Sequence, residues 1–294
     1  MKGINYFNST KKQREGFITA ATEHDIPVNM YRTRNMLIHL KNNQPVKFIN
    51  KGEQIQLEDH VNYFQMLGRE KHIPSLITLY CDFYDLPFND PINTNNTLHS
   101  QKISQMLKLH LNNLPIPGSI ITSGFSYEIN RDYILENMQF PVVLKFHGDA
   151  GEQVWKIDTP EELDKRLLLS EKQKEVAIEN SDIPTALIQE YIPNTHDFRI
   201  TMYNGETLGV IRRMSKDGFY NNYSRGADYA VDTVTEEETE LCRRAAEVCG
   251  VDVAGVDMVR TEQGPLFFEV NKAPDINAKY PAVIVKKLAE KYFK

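Results

Sequence analysis

Apolar residues recur at two different spacings along this chain, and each spacing predicts one kind of secondary structure. In residues 100–111 they fall three and four positions apart, which predicts a helix that Pro115 and Pro117 bring to an end. Thr159 and Thr235 each precede a helical pattern and have a glutamate three positions later, which predicts two capped helices. The buried stripe of the last helix is expected at Leu241, Ala245 and Val248.

Short apolar runs bounded by glycine, proline or asparagine predict strands. These runs are residues 73–81, 120–122, 141–146, 154–157, 186–193, 197–203 and 207–213. Asn204-Gly205 predicts a tight hairpin turn between the last two of them. Residues 12–22 have a helical pattern, and residues 215–229, rich in Gly, Asn, Asp and Tyr, predict a loop. Helices interleaved with antiparallel hairpins favour the α+β class.

Two apolar runs in the last quarter of the chain are joined by a short link that contains glycine, so they predict a hairpin. If Thr261 pairs with Pro265, Asp257 lies opposite Glu269, and Asn271 points to the same face. Three oxygen donors on one surface are the ligands that Mg²⁺ prefers. The alternative is a solvated hairpin face, and the hairpin alone does not decide between the two.

Composition narrows the class of protein. The chain has 294 residues, of which 41% are hydrophobic and 25% charged, as in ordinary globular proteins. Its net charge of -6 argues against nucleic-acid binding, because phosphate backbones attract basic surfaces. No apolar run is long enough to span a membrane and the first residues lack the pattern of a signal peptide, so we expect a cytoplasmic protein. The cysteines, Cys81, Cys242 and Cys249, form no C-x-x-C pair and are expected to be buried and reduced.

Cationic residues beside glycines suggest a site for an anion. Lys145 ends an apolar strand just before a loop that contains Gly148 and Gly151, where backbone amides can approach a phosphate. Lys102, near the start of a predicted helix, is a second candidate. A surface turn beside a solvated lysine explains the glycine loop equally simply, and an exposed helical lysine is the simpler explanation of Lys102.

A second group of candidates lies downstream. Arg213, Asn222 and Arg225 could surround a phosphoryl group that is being transferred, since guanidinium groups bind phosphate in a forked geometry. Arg212 and Arg213 are neighbours on one predicted strand, so only one of them can face a given site.

Taken in order, these motifs resemble the ATP-grasp superfamily, most closely its RimK-type carboxylate-amine (glutamate) ligases. The resemblance covers about residues 97–292. It is carried by Ser100-Gln101-Lys102, residues 145–154, Gln189-Glu190-Tyr191-Ile192, Asp197-Phe198-Arg199, residues 211–226, Asp257 and Glu269-Val270-Asn271.

The resemblance implies an α+β fold in which two α+β lobes clasp ATP, preceded by a small α/β amino-terminal domain. The expected division is residues 1–96 for the amino-terminal domain, 97–187 for the central lobe and 188–294 for the carboxyl-terminal lobe with the metal site. The polar stretch at residues 89–96 marks the first boundary.

The resemblance also implies roles for individual residues. Lys102 and Lys145 are expected near the phosphates, a short connector is expected to read the adenine through its backbone, and Asp197 is expected to hold the ribose. The implied nucleotide-binding residues are Lys102, Lys145, Gly151, Glu190, Tyr191, Ile192, Asp197 and Arg199. The implied metal ligands are Asp257, Glu269 and Asn271, and the implied catalytic residues are Arg213, Asn222 and Arg225.

The implied activity is ATP-dependent formation of an amide bond. A substrate carboxylate, from a small molecule or a peptide, is phosphorylated to an acylphosphate that an amine acceptor then attacks. ATP and Mg²⁺ are the implied cofactors, with one or two ions and with Mn²⁺ as a substitute, and homo-oligomerisation is left open. The alternatives are an ATP-grasp phosphotransferase and a non-catalytic ATP-binding regulator.

Three departures from the family pattern leave the acceptor open. The loop at residues 147–153 has fewer glycines than the family's, Ala227 replaces a glycine, and the sequence Lys272-Ala273-Pro274-Asp275 replaces the usual Ser-Pro-Gly pattern. We expect the loop at residues 215–229 to bind the acceptor, because it places Tyr, Asn and Arg side chains next to Arg213.

Overall fold

The structure is a computed structural model, and it describes residues 2–8, 18, 21–22, 26–65, 72–88, 102–146, 153–180, 185–203, 205–214, 228–251 and 253–271. Its strands are β1 (Gly3–Asn8), β2 (Val28–Tyr31), β3 (Met36–Leu40), β4 (Lys47–Asn50), β5 (Glu53–Ile55), β6 (His60–Gln65), β7 (Ser119–Ser123), β8 (Val142–Phe146), β9 (Val154–Ile157), β10 (Thr185–Glu190), β11 (His196–Tyr203), β12 (Glu206–Met214), β13 (Asp228–Val231), β14 (Val253–Thr261) and β15 (Gly264–Asn271). Its helices are α1 (His72–Phe83), α2 (Lys102–Leu111), α3 (Gly124–Asn137), α4 (Pro160–Leu167), α5 (Glu171–Asn180) and α6 (Glu236–Cys249), with a short 3₁₀ helix at Thr33–Asn35.

The strands form three sheets. In the first, β1 lies between β2 and β6, and both pairings are parallel. A seven-stranded antiparallel sheet has the order β5-β4-β3-β7-β10-β8-β9, and a five-stranded antiparallel sheet has the order β13-β12-β11-β14-β15. Antiparallel sheets accompanied by helices agree with the α+β class expected from the sequence.

The chain divides into two compact units. The first comprises Met1–Leu107 and Gly118–Tyr191, and the second comprises Lys108–Pro117 and Ile192–Lys294. The three-stranded and seven-stranded sheets belong to the first unit, and the five-stranded sheet belongs to the second. The three-part division of the sequence stays a prediction, and strands from before and after residue 96 share the seven-stranded sheet.

The core of the first unit lies between one face of the seven-stranded sheet and helices α3 and α4. Tyr127 and Ile134 from α3 and Leu167 from α4 are buried against this face. A fully buried Leu or Ile side chain contributes about 1.5–3 kcal/mol through the hydrophobic effect. Asp164 joins the two helices, because its carboxylate accepts hydrogen bonds from the Tyr127 hydroxyl (2.7 Å) and from Nε and Nη2 of Arg131 (2.7 and 2.8 Å).

Helix α6 packs against strands of the five-stranded sheet. Its capping box is complete, since Thr235 accepts a hydrogen bond from the Glu238 amide and the Glu238 side chain accepts one from the Thr235 amide. Gly250 ends the helix with a left-handed φ of +68°. The buried stripe is one position away from the predicted one, with Leu241 and Val248 only partly buried. It consists of Glu238, Cys242, Ala245, Ala246 and Cys249.

All three cysteines are buried and free, as the sequence predicts. Burial raises the pKa of Cys81 to about 12, that of Cys242 to about 12 and that of Cys249 to about 11. The thiols are therefore protonated at neutral pH, and a protonated thiol is a poor nucleophile.

Residues 73–81 belong to helix α1, so the strand predicted there is wrong. Pro74 does not interrupt the helix, because it lies in the first turn, where backbone N–H groups have no partner within the helix. The buried residues have the spacing of a helical stripe: Ile73, Leu76, Ile77, Tyr80 and Cys81.

Helix α3 was not predicted at all. Two of its buried residues, Ser126 and Asn130, are polar, so the sequence shows little apolar periodicity. Their polar groups are satisfied locally, because Ser126 donates its amide to the Ser123 side chain and Asn130 donates to the carbonyl of Ser126.

Two other sequence segments are described only in part. Within the predicted helix at residues 12–22, Ile18, Ala21 and Thr22 are described and are helical. The predicted loop at residues 215–229 lies outside the described residues except for its end, where residues 228 and 229 begin strand β13. In the part of the chain that the structure describes, every helix is too short or too polar to cross a lipid bilayer.

The capping box at the start of α6 yields a test of this part of the fold. We predict that Thr235→Ala lowers the free energy of unfolding by about 1 kcal/mol, because the Glu238 amide loses its acceptor. Thr235→Ser keeps a hydroxyl at the same position and should stay close to the unsubstituted protein. Urea denaturation followed by circular dichroism measures both, and equal losses for Ala and Ser would contradict the role of the hydroxyl.

Candidate active site

One face of the five-stranded sheet collects the candidate residues of the second unit. Opposite residues of an antiparallel pair point to the same face. Asp197 lies opposite Arg213, Arg199 lies opposite Asp257, and Asp257 lies opposite Glu269. The set on this face, called the charged face, is Asp197, Arg199, Arg213, Asp257, Glu269 and Asn271.

The β14–β15 hairpin has the predicted pairing at Asp257 but a different turn. The sequence predicts Thr261 opposite Pro265, whereas Thr261 lies opposite Gly264, whose φ is +111°. The loop is thus one residue shorter than predicted. A β-bulge next to Asp257 then shifts the register by one residue, so that Asp257 still lies opposite Glu269.

Asp257 is held by two arginines. Arg199 donates from Nε to Oδ1 and from Nη2 to Oδ2, each at 2.7 Å. Arg213 approaches Oδ2 through Nη2 at 3.1 Å. The side chain of Asp257 is only 9% exposed, so a buried carboxylate is neutralised by two guanidinium groups.

Arg213 also forms a forked pair with Asp197. Its Nε and Nη2 donate to Oδ1 and Oδ2 of Asp197 at 2.7 and 2.8 Å. The side chains are 8% and 7% exposed, so this is the more deeply buried of the two pairs. The structure therefore joins the predicted ribose-binding carboxylate directly to the predicted catalytic arginine.

Asn271 links the third carboxylate to this network. The orientation of its amide follows from its neighbours: Nδ2 donates to Oε1 of Glu269 at 2.9 Å, and Oδ1 accepts from Nη2 of Arg199 at 2.8 Å. All three predicted metal ligands, Asp257, Glu269 and Asn271, thus belong to one connected network of hydrogen bonds.

Asp257 and Arg213 stabilise each other's charged forms. Burial by itself would raise the pKa of Asp257, but the charges and hydrogen bonds of Arg213 and Arg199 outweigh it and lower the pKa below the ordinary value. Burial opposes the charge of Arg213 as well, yet Asp257 and Asp197 outweigh burial and raise its pKa.

Arg212 points away from the charged face, as strand alternation predicts for one of the two neighbouring arginines. Its Nε lies 3.3 Å from the carboxylate of Asp232, and its side chain is 39% exposed. Arg213 is therefore the arginine that belongs to the candidate site.

In the first unit, both candidate lysines are placed on one face of the seven-stranded sheet. Lys145 of β8 lies opposite Leu187 of β10, and Gln189 follows two positions later on the same face. Gln189 contacts Sδ of Met106 at 3.5 Å, so helix α2 packs on that face. Lys102 precedes Met106 by one helical turn and lies on the same side of the helix.

The predicted connector is held by a glycine at its first residue. Glu190 donates its amide to the carbonyl of Gly118 at 2.8 Å, and its side chain accepts from the Gly118 amide at 3.0 Å. A Cβ on Gly118 would come within 2.6 Å of the Glu190 carboxylate. Further along, Lys156 lies over the ring of Tyr191 at 5.1 Å, and the carbonyl of Ile192 accepts from Asn194 at 2.9 Å.

Three residues around the connector, Lys156, Gly118 and Gln189, have no role predicted from the sequence. Lys156 lies opposite Val143, which places it on the same sheet face as Lys145. Gly118 is hydrogen-bonded to both the backbone amide and the side-chain carboxylate of Glu190. The buried Oε1 of Gln189 has no hydrogen-bond partner within the described ranges. A polar residue inside an otherwise apolar strand was the available signal for Gln189. Of the other predicted site residues, Gly151, Asn222 and Arg225 lie outside the described residues.

A comparison with known protein families identifies the family to which this chain belongs. The RimK-like ATP-grasp domain model matches residues 100–290, about two thirds of the chain. The chain belongs to the RimK-like ATP-grasp family. The match covers every residue that the sequence predicts for the site, described or not.

Individual relatives of this RimK-like ATP-grasp protein match a shorter stretch. A probable alpha-L-glutamate ligase from Citrobacter koseri and a ribosomal protein bS6--L-glutamate ligase from Escherichia fergusonii are each 40% identical to it over 93 residues. These matches span 31% of this chain and 31% of the length of each relative.

A solved structure supports the fold over the whole chain. The crystal structure of the D-cycloserine synthetase DcsG is 13% identical, with a TM-score of 0.51, and the alignment covers 98% of this chain and 99% of that one. The α+β ATP-grasp fold expected from the sequence is confirmed.

The chemistry of the charged face fits a magnesium ion. Asp257, Glu269 and Asn271 offer two carboxylates and an amide oxygen, and hard oxygen donors of this kind suit Mg²⁺. Within the described ranges, no group of three or more His, Cys, Asp and Glu side chains could hold a metal ion. Three protein donors are fewer than the octahedral coordination of Mg²⁺ needs, so an ion bound here would keep positions for water and for substrate phosphates.

The buried carboxylate yields a pH-dependent prediction. Because the pKa of Asp257 is lowered on folding, its ionised form stabilises the protein above the ordinary carboxyl pKa, and this contribution is lost as the pH falls below it. We predict that Asp257→Asn costs about 3–5 kcal/mol of unfolding free energy at pH 7, and that the difference from the unsubstituted protein narrows at acidic pH.

Urea denaturation at a series of pH values checks this prediction. Asp132→Asn is the control, because the Asp132 side chain is 94% exposed, and it should change the unfolding free energy little at any pH. A difference for Asp257→Asn that is small at pH 7, or that does not vary with pH, would show that the pairs do not stabilise the fold.

Proposed function

We propose that this protein is an ATP- and Mg²⁺-dependent carboxylate-amine ligase that forms an amide bond through an acylphosphate. One observation carries the proposal: a single sheet face brings Asp257, Glu269 and Asn271 together with Arg199 and Arg213. Such a face offers oxygen donors for a cation and guanidinium groups for phosphate or carboxylate. Membership of the RimK-like ATP-grasp family supports the same reading.

The proposed reaction has two steps. An oxygen of the substrate carboxylate attacks the γ-phosphorus of ATP, the bond to the bridging oxygen breaks, and ADP leaves. The amine nitrogen then attacks the acyl carbon, the bond between that carbon and the phosphate oxygen breaks, and phosphate leaves while the nitrogen loses a proton. Both steps depend mainly on positioning and on neutralisation of charge.

The residues of this chain would serve those needs in different ways. We propose that Lys102 and Lys145 bind phosphate oxygens and that the backbone of Glu190 to Ile192 reads the adenine. The amide of Glu190 already donates to the carbonyl of Gly118, so recognition of the adenine would use other backbone groups of the connector. Bound Mg²⁺ would neutralise charge that develops on the phosphates.

Arg213 would have a positioning role in addition to its predicted catalytic one. Its fork fixes the Asp197 carboxylate, and its Nη2 reaches Asp257, so it orients a predicted ribose-binding group and a predicted metal ligand together. Asn222 and Arg225 stay predicted catalytic residues.

The finer features of the proposal are the ions and the partners. We propose that one or two Mg²⁺ ions serve the reaction and that Mn²⁺ can replace them. The carboxylate would come from an amino acid or a peptide, and the amine acceptor would contact the loop at residues 215–229. The relatives named as glutamate ligases favour an acidic amino acid as one substrate.

A screen for ADP release tests the proposal. Purified protein is supplied with ATP, Mg²⁺ and candidate carboxylates, with and without a pool of amines, and the products are identified by mass spectrometry. We expect free phosphate and an amide product only when an amine is present. A phosphorylated product that persists in the presence of amines would instead identify a phosphotransferase, and no ADP under any condition would favour a non-catalytic regulator.

Glu269 gives a sharper variant than Asp257, because Asp257 also stabilises the fold. We predict that Glu269→Gln lowers kcat about 100-fold, since the metal would lose a charged ligand next to the phosphates. Glu262→Gln, at the exposed turn of the same hairpin, is the matched control and should keep full activity. Equal activity of the two variants would remove Glu269 from the metal site.

A further inference from the structure

Arg199 donates hydrogen bonds to two of the three proposed metal ligands. Its Nη2 donates to Oδ2 of Asp257 at 2.7 Å and to Oδ1 of Asn271 at 2.8 Å, while its Nε donates to Oδ1 of Asp257 at 2.7 Å. Two of the three proposed metal ligands therefore share one guanidinium group. We infer that Arg199 acts as an internal cation that competes with Mg²⁺ for the charged face and gives up Asp257 when the ion binds.

The hydrogen bonds that Asp257 already accepts set up this competition. Each carboxylate oxygen can accept two hydrogen bonds. Oδ2 receives Nη2 of both Arg199 and Arg213, and Oδ1 receives Nε of Arg199. A cation that takes Oδ2 must displace one arginine, and a cation on Oδ1 lies beside the positive charge of Arg199.

Arg199 is the arginine that can leave. Its side chain is 22% exposed, whereas that of Arg213 is 8% exposed. Arg213 is also held by its fork with Asp197 at 2.7 and 2.8 Å, a pair that does not involve any proposed metal ligand. The fork of Arg199 is made to Asp257 itself, so an ion and Arg199 would compete for the same carboxylate.

The charge of the cluster explains why such a residue is needed. Counted over these five described side chains alone, Asp197, Asp257 and Glu269 carry three negative charges and Arg199 and Arg213 carry two positive ones, which gives a net charge of minus one. Without Arg199 and without metal the net charge would be minus two in a largely buried cluster, and such clusters are unstable. Arg199 thus stabilises the metal-free protein and weakens metal binding, two effects that are linked thermodynamically.

The inference rests on the proposed function, because it assumes that a divalent cation binds the charged face. The test uses Mn²⁺ as the probe, with binding to the full chain measured by electron paramagnetic resonance and stability measured by thermal unfolding. Neither readout requires a known substrate or turnover. Arg199→Met keeps the aliphatic length of the side chain and removes its charge and its hydrogen bonds.

Arg260→Met is the matched control. Arg260 makes the same kind of fork, to Glu238 at 2.6 and 2.8 Å, and it belongs to the same strand as Asp257. Its guanidinium lies over the ring of Phe198 at 4.2 Å, on the sheet face opposite to the charged face. Removal of this arginine costs a forked pair without touching the proposed metal ligands.

We expect Arg199→Met to bind Mn²⁺ about 5-fold more tightly than the unsubstituted protein, or better, which is the lower end of typical coupling between two sites. Its Tm without metal should be lower, and saturating Mn²⁺ should raise it by more than it raises that of the unsubstituted protein. Arg260→Met should also lower the Tm, but its Mn²⁺ affinity should not change.

Unchanged or weaker Mn²⁺ binding by Arg199→Met would overturn the inference and leave the proposed function standing. If the unsubstituted protein binds no Mn²⁺, or if Glu269→Gln binds it equally well, the metal site itself is wrong and both proposals fall. If Arg199→Met does not fold without metal, refolding on addition of Mn²⁺ supports the inference. If Arg199→Met does not refold with Mn²⁺ and Arg199→Lys binds Mn²⁺ with the affinity of the unsubstituted protein, the inference is overturned.

Discussion

The buried carboxylate of Asp257 is the constraint on which the second unit depends. A carboxylate whose side chain is only 9% exposed must be paired with a positive charge. Its two partners are Arg199, which lies opposite it on the neighbouring strand, and Arg213. Arg213 reaches Asp257 from a fixed position, because its guanidinium is also paired with Asp197, which lies opposite Arg213 on β11. Three strands are thus fixed in register by hydrogen-bonded charges as well as by their backbones. The same arrangement concentrates oxygen donors and guanidinium groups on one face, so stability and chemistry come from the same side chains.

Local patterns predicted elements whose apolar residues form one stripe or one continuous run, although strands β1 to β6 and helix α5 were not predicted. The capped helix at Thr235, the strand at Lys145 and the hairpin at Asp257 follow that rule. Helix α3 does not, because Ser126 and Asn130 are buried and erase the apolar stripe. Residues 73–81 were predicted as a strand but are helical. A mostly apolar run of that length fits a strand and a buried helix equally well. The pairing of Asp257 with Glu269 was right despite a wrong turn, because a bulge compensated a loop that is one residue shorter.

The composition of the charged face was predictable, but the arginine–aspartate pairs within it were not. Arg199 and Asp257 are separated by 58 positions along the chain and meet only because β11 lies beside β14. No local pattern fixes that neighbour relation. The sequence therefore predicts which residues gather around a nucleotide, and the structure adds which of them hold each other. The fork of Arg199 on Asp257 gives that arginine a place among the proposed metal ligands that a motif alone does not reveal.

In the proposed ligase reaction, the charged face binds the divalent cation. The most direct measurement is a crystal structure of the protein grown with Mn²⁺ and a non-hydrolysable ATP analogue, with anomalous diffraction data collected to locate the metal. We expect an anomalous peak in direct contact with side-chain oxygens of Asp257, Glu269 and Asn271. A peak bound to other residues, with these three side chains still joined only to arginines, would contradict it.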